Sequence, residues 1–297
     1  MRWPAALRAT LLALIGVLPL SVNGQGFAGK RLFPATPSVV DPFFIDELDL
    51  LLSHQPDVNK DDAKVDTTQA ALNFSKRITR RLTLTLASGY AHLDPAQGSQ
   101  QNGFTNTTLG IQFMGPISAE RESVVAIGLD AKLGGTGSQA IDRDSFSTIS
   151  PAFFLGQGFG NLPQSVKYLR PLAFNTAIAY NFPTRGREPE TLSSGFALHY
   201  NLGYLTSFVR DIGLPSWLNH AIPVVEAPLR FCMESGCKGL TGTVNPGVIW
   251  FNHLGQVSVE ASIPVNERTG DSVGMRLQLH LYMEDLFPNS LGKPLFD

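Results

Sequence analysis

Charge is scarce in this 297-residue chain, with Asp, Glu, Lys and Arg making up 16% of it, against roughly 25% in ordinary soluble domains. The 23 Lys and Arg are scattered and the formal net charge is −2, which excludes the basic stripe that a nucleic-acid partner needs. Cysteine is scarcer still: only Cys232 and Cys237. No His or second Cys pair lies beside them, so the ligand set of a zinc site is incomplete. In an exported chain the default for such a pair is a disulfide closing a short loop. No phosphate-binding Gly loop precedes a helix pattern and no metal-ligand cluster appears, so no cofactor is expected. Long apolar runs are missing too. Beyond residue 24 there is no stretch of 18 apolar residues, and no transmembrane helix is expected there.

The N-terminus has the pattern of an export signal. Arg2 and Arg8 bracket the start, the apolar run Leu11 to Leu20 follows, and Val22-Asn23-Gly24 offers a cleavage site. Residues 1–24 are therefore read as a cleaved signal peptide. Residues 25–44 are Pro-rich, carry Lys30 and Arg31, and read as an extended lead-in or a small plug. Residues 45–285 are read as the main domain, and 286–297 as a tail without strand pattern.

What the main domain does have is period-two alternation. From Val273 to Met283 every odd position is apolar, while the even positions are Gly274, Arg276, Gln278, His280 and Tyr282. One apolar and one polar face over that length means a strand. The same pattern recurs in Val257 to Val265, Val125 to Leu133, Leu172 to Phe182, Phe196 to Tyr204 and Leu82 to Tyr90. Twelve strands are expected: 45–53, 66–77, 81–92, 104–114, 122–133, 146–156, 167–182, 192–208, 221–231, 241–251, 256–265 and 271–283. The first, sixth and ninth have the poorest pattern; Pro151 interrupts the sixth, and Pro223 and Pro228 the ninth. Membrane barrels favour even counts, so ten or fourteen are the alternatives. The fold class is all-β, a single antiparallel transmembrane β-barrel. A soluble sandwich would need turns every 8–12 residues, and here the strand-plus-loop units are longer, as tilted membrane strands require.

Connections and aromatics agree. Tight links at Ile78-Thr79-Arg80 and His253-Leu254-Gly255 alternate with longer polar ones at 56–64, 94–103, 134–145, 184–190, 233–239 and 266–271, which would all lie on the outer side. Tyr90, Phe113, Phe182, Tyr204, Trp250 and Tyr282 lie near strand ends, where aromatic girdles form. The polar faces nominate lumen residues: Asp130, Lys132, His199, Glu226, Arg230, Glu260, Arg276 and His280, with Glu47 and Asp49 joining them if the first strand is right. Two readings follow: a permeation path lined by both charge signs, or neighbours that pair and fill a narrow barrel. Small inward residues, among them Ala126, Gly128, Ala173, Ala177 and Ala197, favour space for a path.

Ser272-Val273-Gly274-Met275-Arg276-Leu277-Gln278-Leu279 looks like the last-strand signal read by bacterial barrel-assembly machinery, although here the chain continues to Asp297. The mature chain also resembles a family of outer-membrane barrels linked to the meta-pathway of phenol degradation. Lys30 to Pro37, the Ile78 to Leu82 turn and the Glu260 to Pro264 strand carry that resemblance. It implies a barrel in the outer membrane of a Gram-negative bacterium that passes small hydrophobic or aromatic solutes, with outer-membrane lipid and lipopolysaccharide around it. The family has no shared catalytic motif. An outer-membrane hydrolase is the weakest alternative, since no His is followed two residues later by Ser. An adhesion or structural barrel acting through its outer loops is the other. Asp57, Asn59 and Asp61 have a calcium-loop spacing but lack the Gly and Glu that an EF-hand needs.

Overall fold

The computed structural model describes residues 26–60, 63–141, 144–185, 188–234, 237 and 239–296; the expected signal peptide and Asp61 lie outside them. The main domain is a closed antiparallel barrel of twelve strands. They are β1 (Glu47–Lys60), β2 (Ala63–Arg77), β3 (Leu82–Pro95), β4 (Thr108–Ser118), β5 (Ser123–Lys132), β6 (Thr148–Gly158), β7 (Leu172–Pro183), β8 (Thr191–Tyr200), β9 (Ala221–Cys232), β10 (Leu240–Phe251), β11 (Gly255–Pro264) and β12 (Gly274–Tyr282). Each pairs with its sequence neighbour, and β12 returns to β1, from Met275 opposite His54 to Tyr282 opposite Glu47. Closure leaves no unpaired edge, which is what lets a sheet sit in lipid.

Burial is inverted relative to a soluble protein. In β11, Gln256, Ser258, Glu260 and Ser262 are buried, while Val257, Val259 and Ile263 on the other face are 39–42% exposed. In β12, Gln278 and His280 point in and Met275, Leu277 and Leu279 point out. An apolar exterior around a polar interior is stable only where the exterior meets hydrocarbon.

Several boundaries differ from the sequence reading. β1 runs on to Lys60 and β2 starts at Ala63, so most of the expected 56–64 loop is ladder, with a bulge between Gln55 and Val58. Alternation stops where the outer face meets water, but backbone pairing does not. The next expected loop is shortened likewise, because β3 reaches Pro95 and a short strand, Gln101–Phe104, pairs with it. The seventh strand begins at Leu172 rather than 167, since 164–169 form helical turns. The eighth ends at Tyr200, where Asn201 Oδ1 accepts from the Tyr204 amide (2.9 Å) and turns the chain into helix. Tyr204 and Tyr282 are buried, not part of a girdle: Tyr282 shares the inward face of Gln278 and His280, and Tyr204 folds under the barrel end. Tyr90, Phe113, Phe182 and Trp250 do face outward. The tail folds back on the β2–β3 turn, with Leu295 N donating to Arg77 O (3.2 Å) and Phe296 N to Ile78 O (2.8 Å).

Candidate functional site: a plugged lumen below an open vestibule

Residues 26–46 lie inside the barrel, at the end that carries the β2–β3 and β4–β5 turns. A two-residue hairpin, Phe27–Ala28 with Arg31–Leu32, enters first. Phe33 and Phe43 pack with Val124 and Ala173; Leu32 packs with Ile222, Val224 and Ile249; Phe44 packs with Ala126 and Phe154. The wall makes room by lacking side chains. A Cβ on Gly156 would stand 2.9 Å from Phe33 Cε1, and one on Gly195 3.0 Å from a Val39 methyl. Of the small inward residues that suggested free space, Ala126 and Ala173 are covered by the chain's own N-terminal segment, whereas Ala177 also lines the open space above it. Ala126, Ala173 and Ala177 all lie against it or its apolar clusters.

Polar contacts fix the segment near its start and at its middle. Arg31 is fully buried, and its Nε donates to Glu122 Oε2 (3.1 Å), its Nη1 to Pro171 O (2.8 Å) and its Nη2 to Arg170 O. The Tyr204 ring stacks on the same guanidinium, 3.9 Å from its carbon, while its hydroxyl donates to Glu122 Oε1 (2.8 Å). Burial, then the bond to Glu122, pushes the Tyr204 phenol up to about 12. Gly160 N also donates to Glu122 (3.1 Å). Glu122 itself has φ +49, a left-handed conformation that costs a non-glycine residue about 1–2 kcal/mol. The donors gathered on its carboxylate compensate for that strain.

At its middle, Glu226 accepts from the amides of Ser38 (2.9 Å) and Val39 (2.8 Å). Ser38 Oγ reaches Glu260 (3.4 Å) and accepts from Asn245 (2.7 Å). Glu226 and Glu260 therefore lie inward, under the segment. His199 is buried edge-on to Phe33, ring centroids 6.0 Å apart. His280 Nε2 lies 3.3 Å from Glu47, and its Nδ1 is 3.7 Å from Asp49. Those three meet near the plugged end, beside a water-sized cavity bordered by Asp41, Gln256 and Tyr282.

Above Ser38, Val39 and Val40 the lumen opens into a vestibule of about 660 Å³ towards the longer loops. Asp130, Arg230 and Arg276 line it. Arg276 stands opposite Glu260 in the β11–β12 ladder. Lys132 is held at the rim by Asp144 and does not line the vestibule. Cys232 and Cys237 are joined by a disulfide in the loop after β9. Asp57 accepts from Ser272 Oγ and is thereby tied to the β12 side. Sequence reasoning missed the roles of Arg31, Glu122 and Tyr204; the one available signal was the Lys30-Arg31 pair in a Pro-rich lead-in.

No family model matches the chain, and no curated protein matches it in sequence. Solved structures match in fold. An outer-membrane channel from Pseudomonas putida F1 superposes with a TM-score of 0.53 at 11% identity, over 84% of this chain and 99% of that one. The KdgM porin gives a TM-score of 0.44 at 13% identity over 79% and 98%, and the NanC porin 0.46 at 8% over 78% and 97%. The chain has the fold of an outer-membrane channel barrel.

Proposed function

We propose that the protein is a channel in the outer membrane of a Gram-negative bacterium, passing small solutes and closed in this conformation by residues 26–46. The observation that supports this best is a closed barrel, apolar outside, whose polar lumen widens into a vestibule open at one end. Vestibules of this size suit single small molecules. Ala152, Phe154, Ala177 and Ala179 on one wall fit a solute with an apolar or aromatic body. The buried wall behind the segment supports the closed-gate part of the reading. Among the described residues, the buried Asn175 amide and His199 ring have no hydrogen-bond partner, each costing about 1–3 kcal/mol unless water or a solute reaches it. Such a wall is suited to a wet path rather than to permanent cover.

Single-channel recording of the refolded mature chain in a planar bilayer tests this, with far-UV circular dichroism as the folding control. Stepwise conductance from a β-rich sample is expected. A folded barrel that stays silent under all voltages, with residues 26–46 intact or released, would overturn the passage reading.

A further inference from the structure

The vestibule wall is not uniform in chemistry. Strands β6 and β7 contribute Ala152, Phe154, Ala177 and Ala179, and β8 contributes Ser193, Ser194 and Gly195. Strands β9 and β12 contribute Arg230 and Arg276. In a ring of twelve, β12 stands across the lumen from β6, so Arg276 faces the apolar wall. Among the described lining residues, the guanidiniums of Arg230 and Arg276 stand against one carboxylate, Asp130, while Arg268, which also lines the space, has a partner of its own. Arg230 has no ion pair or hydrogen bond among the described residues. Glu226 lies below the floor and accepts from the Ser38 and Val39 amides. Glu260 offsets part of the Arg276 charge from the neighbouring strand.

We infer that this vestibule is a binding site for small organic monoanions, carboxylates with an apolar body. The carboxylate lies on Arg230 and Arg276, whose planar forks suit it, and the body lies against Phe154 and the alanines. The limited cation excess, with Asp130 facing the same space, disfavours dianions such as phosphate esters. The floor, Val39 and Val40, is in place while the segment is seated, so the site is complete in the closed barrel and is reached from the loop end. Only the ligand's role as the transported solute rests on the passage reading; binding itself does not.

Calorimetric titration of the refolded barrel in detergent tests the site with three probes: benzoate, benzamide (same body, no charge) and acetate (same charge, no body). Benzoate is expected to bind at least about tenfold more tightly than either, a difference of about 1.4 kcal/mol. Arg230→Gln should remove most of the benzoate preference and leave benzamide unchanged; circular dichroism verifies its folding. The double variant Glu260→Gln/Arg276→Gln, which keeps that pair neutral, should do the same from the other side. Equal binding of benzoate and benzamide, or full benzoate affinity in both variants, would overturn the inference. A barrel that conducts without preferring benzoate sinks only this site. One that binds benzoate yet never conducts keeps the site and sinks the passage reading.

Discussion

Arg31 and Glu122 are 91 residues apart in the chain and 3.1 Å apart in space, at the plugged end of the barrel. The pair joins the lead-in to the β4–β5 turn. Removing one partner of a buried ion pair costs about 3–5 kcal/mol, because the other charge is left without compensation. Arg31→Met should therefore loosen residues 26–46 specifically. Exchange of the Phe33 amide, which donates to Gly26 O (2.9 Å), should speed up by two orders of magnitude or more while the barrel ladders keep their protection. Unchanged exchange at Phe33 would show that packing alone holds the segment.

Val39 and Gly195 offer a lock. A Cβ built on Gly195 lies 3.4 Å from Val39 Cβ, close to the roughly 3.5–4.5 Å separation in disulfides. Val39→Cys/Gly195→Cys, placed in a Cys232→Ser/Cys237→Ser background, should be silent in bilayers when oxidised and conduct after dithiothreitol. The background change itself opens a short loop and should cost no more than about 2 kcal/mol. Conduction that ignores the redox state would mean that solutes pass without moving Val39.

The lipid-facing assignment is open to a direct stability test. Ile127 is 56% exposed at mid-strand in β5. Ile127→Lys should cost about 2–4 kcal/mol in urea unfolding from vesicles, as expected for a Lys facing the bilayer midplane. Arg230→Lys, on the vestibule side, should stay within about 0.5 kcal/mol. Equal costs at the two positions would contradict the inward and outward assignment of these faces.

The tail carries a pH dependence. Glu284 lies 2.7 Å from Arg77. Burial raises its carboxyl to about 7, with Arg77 pulling the other way. Since the folded value exceeds the usual 4.5, the contribution to stability is fully present below about 4.5 and is lost as pH rises through about 7. Protection of the Leu295 and Phe296 amides should fall over that window, and Glu284→Gln should flatten the profile. A profile that is already flat in the parent chain would refute the assignment.

The wall of this protein was readable because a membrane barrel writes its two faces into alternate residues. Val257, Val259 and Leu277 against Ser258, Glu260 and Gln278 leave little choice of register. The interior was less readable where it meets the plug. Ile222 and Val224 point inward yet are apolar because Leu32 covers them, so the ninth strand lost its alternation and looked weak. Phe154 points inward to meet Phe44 for the same reason. The positions of Arg230 and Arg276 follow from strand parity. Whether the lumen is filled does not, since the filling segment is irregular and its partners include residues 91, 188 and 222 positions away. Glu122 sits in a turn, where no periodicity points to its role.

The segment inside the barrel is held unevenly. Leu32 and Phe33 anchor one side and Phe43 and Phe44 the other, each burying an apolar side chain worth about 1.5–3 kcal/mol. The arch between them, Thr36 to Val40, is held by hydrogen bonds to Glu226, Glu260 and Asn245, about 1.5–3 kcal/mol for each charged bond. Full extraction must break both sets of contacts, whereas lifting the arch breaks the second and draws only Val39, buried against Gly195, out of its packing. Such a hinged lift leaves the four anchors seated on their own strands.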